Sequence, residues 1–502
     1  MSFRLLHIET MPERPEPRRW IRPPNDSRNP LPGRSIDFVN SDQYDQSMMS
    51  IILGNNGTGK SRLLRDIALA FISIKTGGGR KFPLRKLVYT LNGDSYSIQR
   101  NSDGVFGRIN SMPVDLDFVA TPNKIITMTV TPFDKFPLPL NDMGKGFDYY
   151  ASRKRFADYE YMGLRDNTRR SSPTSLVNRS VARLFEVLWT EDRTEKDIES
   201  VFSFLKYRPW LKVVYRFRKD PELIKRIEER ISGRYQIDET EEESTLRADR
   251  VWTESTEYQI IPEEVVNSYR ILEQMSGRSS YIETEADFAS WRANVSPYQM
   301  NAISVLRKLE LVSVASVVVK RRTGEEIELT QTSSGEMNIL TSFLGLSAVL
   351  KDDSIVLIDE PEISLHPKWQ NDYLDLLHGC FNGYRGCHYI IATHSPLILS
   401  DVSAGESTVV SLDGNTIVDG AAYSGKSSDF LLVNAFGVAN GDNYYLKTQL
   451  SKALRMAAEG DTKSQEFNEA MAPLLKVLPN IPSSARLSEV IKGLQDATRE
   501  IE

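Results

Sequence analysis

Residues 54–61 read GNNGTGKS, between an apolar run, MMSIIL (48–53), and a set of apolar positions at helical spacing: Leu64, Ile67, Ala68, Phe71 and Ile74. Strand, glycine-rich turn and amphipathic helix in that order fit the phosphate-binding loop pattern G-x-x-x-x-G-K-[ST]. Gly54, Gly57 and Gly59 let the backbone wrap tightly, so the N–H groups along Asn55, Asn56, Thr58 and their neighbours face phosphate oxygens. The helix that follows, through Arg62, adds the positive end of its dipole. Lys60 is placed to neutralise β/γ-phosphate charge, and Ser61 to set its hydroxyl on Mg²⁺. The bland alternative is a glycine-rich turn without a ligand.

Two further segments end apolar strands with polar groups. IVLIDEPE (355–362) reads as a buried parallel strand closed by adjacent carboxylates. At a strand end Asp359 can hold the Mg²⁺ shell while the chain bends and aims Glu360 at a water, as general base. IIATHS (390–395) ends in His394, whose imidazole can donate a hydrogen bond to the γ-phosphate or the attacking water. Alone, an acid after an apolar strand or a single histidine is more often structural. Three strand ends offering Lys/Ser, Asp/Glu and His to one crevice are not.

TSSGEMN (332–338) has no acid, metal spacing or nucleophile–base pair that explains it. Ser333 followed by Glu336 is a sound helix N-cap. In the order of the motifs a second reading emerges. Phosphate loop, SSGE turn, apolar-Asp-Glu-Pro strand, SLHP (364–367) and strand-terminal histidine follow one another as in ABC-class ATPases, and TSSGE resembles that class's LSGGQ signature. The resemblance implies an α/β fold, an ABC-type P-loop ATPase head with a mixed sheet, binding ATP with Mg²⁺. It also implies two chains stacked head to tail. Ser333, Ser334, Gly335 and Glu336 of one copy would then cap the γ-phosphate held by the loop of the other.

Departures refine the resemblance. Transporter-type members continue the acid strand as DEPTSALD; this chain has DEPEISLHPKWQ. That form is similar to the RecF/SMC-type DNA-repair ATPases, the overcoming-lysogenization-defect nucleases and anti-phage defence ATPases. A glutamine at the lid position is missing; TPFDKFP (131–137) fills that place, with Asp134 as candidate. TPFDKFP, DYEYMGLRD (158–166) and SSDFLLVNAFGVAN (427–440) resemble the ATPase subunit of Septu-type and retron-associated anti-phage systems.

The chain has 502 residues, 40% hydrophobic and 26% charged, which suits two to four domains or one domain with insertions. A net charge of −6 argues against a nucleic-acid coat over the whole surface. Two cysteines exclude a disulfide scaffold and fit a reducing cytoplasm. The N-terminus, MSFRLLHIET, reads as a strand rather than a leader, and no apolar run reaches membrane-spanning length. The plan expected is an ATPase lobe over 1–150, a mainly helical insertion over 151–310, the second ATPase half over 311–425 and C-terminal helices over 426–502. A Pro/Arg-rich loop, MPERPEPRRWIRPPNDSRNPLPGR (11–34), is read as a surface loop, with a partner contact through Trp20 as the sharper alternative.

Two decoys remain. HGCFNGYRGCH (378–388) holds both cysteines and could be drawn as a zinc site, but its spacing is unusual and it links a helix to the His394 strand. The run RKR (153–155) with Arg165, Arg169 and Arg170 reads first as a solvated face, and second as a contact for nucleic-acid phosphates. After Ser400 there is no Asp-x-Asp strand with a preceding Glu, so the chain itself is not expected to cut nucleic acid. The reading is a cytoplasmic ABC-class ATPase working as a homodimer or higher even homo-oligomer. It would control a separate effector protein, a nuclease, in bacterial anti-phage defence. Alternatives are a genome-maintenance ATPase of RecF/SMC type that clamps DNA directly, and a nucleotide sensor with negligible turnover.

Overall fold

The computed structural model describes residues 2–12, 33–39, 47–55, 57–75, 82–138, 158–165, 177, 180, 184, 195–234, 260–402, 407–412, 416–438, 443–481 and 485–499. Trp20 and most of the Pro/Arg-rich loop, Asn56 of the phosphate loop, and residues 153–155, Arg169 and Arg170 lie outside the described residues. The chain groups into two units: residues 1–137 with 351–375 and 384–502, and residues 138–350 with 376–383.

The first unit is built on a mixed sheet. Its strands run in the order Thr416–Asp419, Ser407–Ser411, Met48–Leu53, His388–Ala392, Ile355–Asp359, Ile125–Thr129. Among these six strands Thr416–Asp419 pairs antiparallel and the other pairings are parallel. Every residue of the three strands 125–129, 355–359 and 388–392 is buried. That is why they read as unbroken apolar runs rather than alternating ones. Register does the rest: Ile52 pairs with Ala392, Ala392 with Asp359, and Asp359 with Thr129. The carboxyl ends of four strands therefore finish in one row, and whatever follows each strand meets the others there.

Helix Lys60–Ile74 leaves the row at Gly59, whose φ of 92° is the left-handed conformation that only glycine adopts cheaply. Its apolar stripe is buried, with Leu64, Ile67 and Phe71 fully so, each contributing about 2 kcal/mol. Phe71 meets Phe3 and Tyr89 edge-on, with ring centroids 5.8 and 5.2 Å apart. Those rings belong to or adjoin a second, antiparallel sheet, ordered Ser35–Asp37, Arg4–Thr10, Leu84–Leu91, Asp94–Asn101, Gly104–Ile109, Met112–Val114. The C-terminal helices Ser428–Asn434, Tyr444–Ala458, Gln465–Val477 and Arg486–Arg499 close on their own core of Leu446, Phe467, Leu474, Val477 and Ile491.

One turn in this unit is tightly constrained. Gly386, just before the strand that leads to His394, has φ 67°, and a Cβ there would run into Asp353 Oδ1 and come within 3.0 Å of the Ser2 backbone. The same Asp353 oxygen accepts from Phe3 N–H (3.1 Å). Gly386→Ala is expected to destabilise the protein by about 2 kcal/mol, read as a lower midpoint in urea. An unchanged midpoint would show that the turn relaxes freely.

In the second unit the helices expected between 151 and 310 are present: Glu195–Phe204, Pro221–Ile231, Pro262–Ser276 and Pro297–Lys308. Three of them carry proline at their first position, where its missing N–H costs nothing. They share the unit with an antiparallel sheet, ordered Arg292–Ala293, Tyr281–Asp287, Tyr207–Phe217, Val312–Arg321, Glu326–Glu328. Of this sheet's strands the sequence reads WLKVVYRF (210–217) and EIELTQ (326–331) as extended, but not the other three. YIETEAD (281–287) looks charged because it buries Ile282, Thr284 and Ala286 and shows its acids on the other face. Helix Ser334–Val349 follows the SSGE turn, and its Gly345 admits close packing of Met162, whose Cε a Cβ would strike.

Candidate nucleotide site

The row of strand ends in the first unit brings five of the residues singled out in the sequence together. Lys60, 4% exposed, donates from Nζ to its own loop at Gly54 O (2.7 Å) and to His394 Nε2 (2.6 Å). Ser61 Oγ donates to Asp359 Oδ1 at 3.0 Å. Glu360 Oε1 lies 3.5 Å from the same His394 Nε2. Because Lys60 donates into that nitrogen, Nε2 presents its lone pair there and the ring is neutral. Burial first, then the Lys60 charge, hold the His394 imidazole below its ordinary range, against the opposing pull of Glu360.

Sequence-local features explain each placement. Glu360 has φ 49°, the left-handed turn that ends the acid strand, and its N–H is held by Ala392 O (2.9 Å). So the chain does bend at the Asp-Glu pair, with Asp359 bonded to Ser61 and Glu360 beside His394. Asp359 is 2% exposed. Burial raises its carboxyl to about 7; the Ser61 hydroxyl opposes this, while Glu360, Asp134 and Glu362 add to it. Asp134 is buried in the 131–137 loop and accepts Phe136 N–H (3.0 Å).

The loop geometry fits a triphosphate with a divalent cation. Gly57 (φ 83°) and Gly59 (φ 92°) have open space where a Cβ would stand, so the concave side of the loop is bare backbone. A hydroxyl and a carboxylate 3.0 Å apart, with further acids behind, are hard oxygen donors of the kind Mg²⁺ takes alongside phosphate. Thr58 closes the loop by donating from Oγ1 to Asn55 O (2.9 Å). Beside it opens a cavity of about 470 Å³ lined by Arg34, Ile36, Thr58, Arg62, Asp66 and Leu412, among others. Arg62 faces Asp66 at 3.9 Å on the first turn of the helix.

The signature turn belongs to the second unit. Ser333 caps its helix: Oγ accepts Glu336 N–H (3.2 Å), and the Glu336 carboxylate accepts Ser333 N–H (3.1 Å). Glu336 is thus engaged in a capping box, while Ser333 and Ser334 are exposed and Gly335 is buried. The capping role and an outward-facing hydroxyl coexist at this turn.

Three contributors escaped the sequence reading. Arg34, at the end of the Pro/Arg-rich loop, donates from Nη1 to Thr58 O (3.0 Å). Glu362 accepts His394 N–H (2.6 Å) and the Thr393 hydroxyl (2.9 Å). Gln370 accepts from Ser395 Oγ (2.7 Å). The only signal was the last acid of DEPE, Glu362, where the transporter pattern has threonine. At the zinc decoy, His388 is fully buried, accepts Leu5 N–H (3.1 Å) and meets Ser50 Oγ (2.9 Å), and burial pushes the Cys387 thiol up to about 12. Among the described residues no helix is long and apolar enough to cross a membrane.

A family model described as "AAA domain, putative AbiEii toxin, Type IV TA system" matches residues 49–400. The "Retron Vc95 probable ATPase" of Vibrio cholerae serotype O1 biovar El Tor is 32% identical over 100 residues, 18% of this chain and 19% of that relative. "Protein ea59" of Escherichia phage lambda is 39% identical over 74 residues, 15% of this chain and 14% of that protein. The chain thus spans less than a fifth of the length of either curated relative. Among solved structures, the Smc head domain of Pyrococcus furiosus bound to the C-terminal domain of ScpA shares 11% identity at a TM-score of 0.30, covering 83% of this chain and 96% of that one. The SMC head domain from Thermotoga maritima shares 13% at 0.29, with the same coverage. Likenesses with TM-scores this low carry no argument.

Proposed function

The chain belongs to the AAA-domain family whose model spans residues 49–400, and on that premise we propose that it is an ABC-class ATPase whose ATP-driven pairing holds or releases a separate toxic effector, a nuclease, in bacterial anti-phage defence. The observation that carries the ATPase part is the convergence of Lys60, Ser61, Asp359, Glu360 and His394 at one row of strand ends. The defence setting leans on the retron relative, and the effector on a chain whose sequence offers no second catalytic centre.

In this reading an incoming triphosphate replaces Gly54 O as the partner of Lys60, and the loop N–H groups from Gly54 to Ser61 receive the β/γ oxygens. Ser61 and Asp359 would hold Mg²⁺, which would supply charge neutralisation for the phosphates. Glu360 takes a proton from the attacking water, and His394 donates to the γ-phosphate. The cavity beside Thr58 takes the nucleoside. Ser333, Ser334 and Gly335 of a second copy cap the γ-phosphate with a hydroxyl and backbone N–H groups. Binding closes the pair and hydrolysis opens it. The insertion (151–310) and the C-terminal helices (426–502) pass that movement to the effector.

Lys60→Ala tests the binding half. Loss of a charge-assisted contact is expected to weaken Mg·ATP binding roughly 10–100-fold by titration calorimetry; equal affinity would remove Lys60 from the site. Light scattering tests the pairing half: the parent is expected to double in mass with saturating Mg·ATP, and the Lys60→Ala chain to stay single. Co-purification with natively co-expressed proteins tests the effector. A chain that recovers alone and gives no phage phenotype would overturn that part and leave the ATPase standing.

A further inference from the structure

We infer that Glu362 is a positioning residue for His394: its carboxylate clamps the Thr393–Ser395 turn and ties it to the segment 363–370. The inference rests on the ATPase reading for its consequence in turnover, but its geometry stands apart from it. Glu362 Oε1 accepts the backbone N–H of His394 itself at 2.6 Å. Oε2 accepts the Thr393 hydroxyl at 2.9 Å. Thr393 Oγ1 in turn accepts Ser395 N–H at 3.0 Å. Ser395 Oγ donates to Gln370 Oε1 at 2.7 Å, and Gln370 Nε2 donates to Glu362 O (3.4 Å) and Leu365 O (3.0 Å). These bonds form a closed ring through Glu362, Thr393, Ser395 and Gln370, with His394 suspended from one of its members.

A half-buried carboxylate is a costly way to satisfy donors that a neutral oxygen could serve. What it adds is two acceptors in one rigid plane, both strengthened by charge, on the two residues that set the direction of the imidazole. The ring places His394 Nε2 at 2.6 Å from Lys60 Nζ. A misplacement of the imidazole by about an ångström is enough to lose its γ-phosphate contact. The clamp also reaches outward. Ser364, with φ 67°, His366, Pro367 and Lys368 are exposed on the segment that Gln370 and Glu362 anchor.

The test uses the full chain and four proteins: parent, Glu362→Ala, Glu362→Gln and Thr393→Val. Turnover is one readout. Glu362→Ala is expected to lower kcat about tenfold with KM for Mg·ATP within about twofold, since the phosphate loop is untouched. Glu362→Gln keeps an oxygen for His394 N–H and is expected to recover most of that loss. Thr393→Val replaces only the hydroxyl by a methyl, and is expected to lower kcat about threefold with a modestly lower melting transition. The second readout needs no turnover: the ring titration of His394 by NMR in nucleotide-free protein, assigned by its loss in His394→Asn. The charged groups facing this ring are Lys60 and Glu360; the titratable groups facing the clamp are Asp359, Glu360 and the buried, neutral Tyr373. Release of the turn from Lys60 is expected to move the His394 titration up in Glu362→Ala and back in Glu362→Gln. An unmoved titration in Glu362→Ala, or a Gln variant no better than Ala, would overturn the inference. If Glu362→Ala fails to fold, Thr393→Val decides by the same two readouts. If the parent hydrolyses no ATP, the ATPase reading falls, and the titration alone settles the positioning.

Discussion

Glu360→Gln is expected to lower ATP turnover at least about a hundredfold while Mg·ATP affinity stays within a few-fold of the parent, because the amide fills the same space but cannot take a proton. The geometry makes this a clean substitution. The unusual backbone at Glu360, φ 49°, is fixed by its N–H to Ala392 O and not by its side chain. A glutamine therefore inherits the turn. Lys60 keeps Gly54 O and His394, and Asp359 keeps the Ser61 hydroxyl. The Glu360 carboxylate, 3.5 Å from His394 Nε2, is the one group changed. Single-turnover kinetics separate the chemical step from binding, and calorimetry checks that binding survives. If closure of two copies needs bound ATP and opening needs hydrolysis, the variant also accumulates as a pair, which light scattering reads directly. A parent and variant that turn over equally slowly would leave a nucleotide sensor in place of an enzyme.

What the sequence disclosed and what it hid divide along one physical line. GNNGTGKS, IVLIDE and IIATH are local patterns whose chemistry and backbone conformation are set within a few residues, so loop, strand ends and helix start are legible from the amino acids alone. The helix runs Lys60–Ile74 and carries the apolar positions Leu64 to Ile74 read at helical spacing, and the acid strand ends at Asp359 as its apolar run implies. The antiparallel hairpins over 94–114 went unseen, because strands such as SYSIQRN bury only one face and show polar residues on the other. In the sheet around Tyr207–Phe217 the segments 210–217 and 326–331 read as strands, but their pairing does not, since the partners of Tyr207–Phe217 lie roughly 70 to 100 residues downstream and no local signal announces pairing at that distance. Glu362 is the sharpest case. As sequence it is one acid among several after a strand; its meaning comes from His394, 32 residues away, meeting it at 2.6 Å.

Asp359→Asn is expected to do two opposite things at once: abolish turnover, by about a hundredfold or more, and stabilise the fold. Turnover falls because an amide replaces the carboxylate that would share the metal with Ser61. Stability rises because of what burial does to that carboxyl. At 2% exposure, with Glu360, Asp134 and Glu362 as like-charged neighbours, it titrates at about 7 instead of its ordinary 3.8. The folded state therefore holds a proton that the unfolded state releases between about pH 4 and 7. Stability attributable to this group is greatest below its unfolded value and declines as pH rises through the folded one. Above about pH 7 a charged Asp359 costs the parent on the order of 2–4 kcal/mol, a cost the asparagine escapes while its oxygen still accepts from Ser61 Oγ. In chelator at about pH 8 the variant's thermal midpoint should exceed the parent's by several degrees, and the gap should close towards about pH 4. Added Mg²⁺ should raise the parent's midpoint more than the variant's, since only the parent keeps the Asp359 charge for the metal to answer. A gap that is the same at both ends of that pH range would show that the carboxyl is not strained by its surroundings. The site would then lose its clearest physical mark of function, a destabilising charge kept in place for a cation.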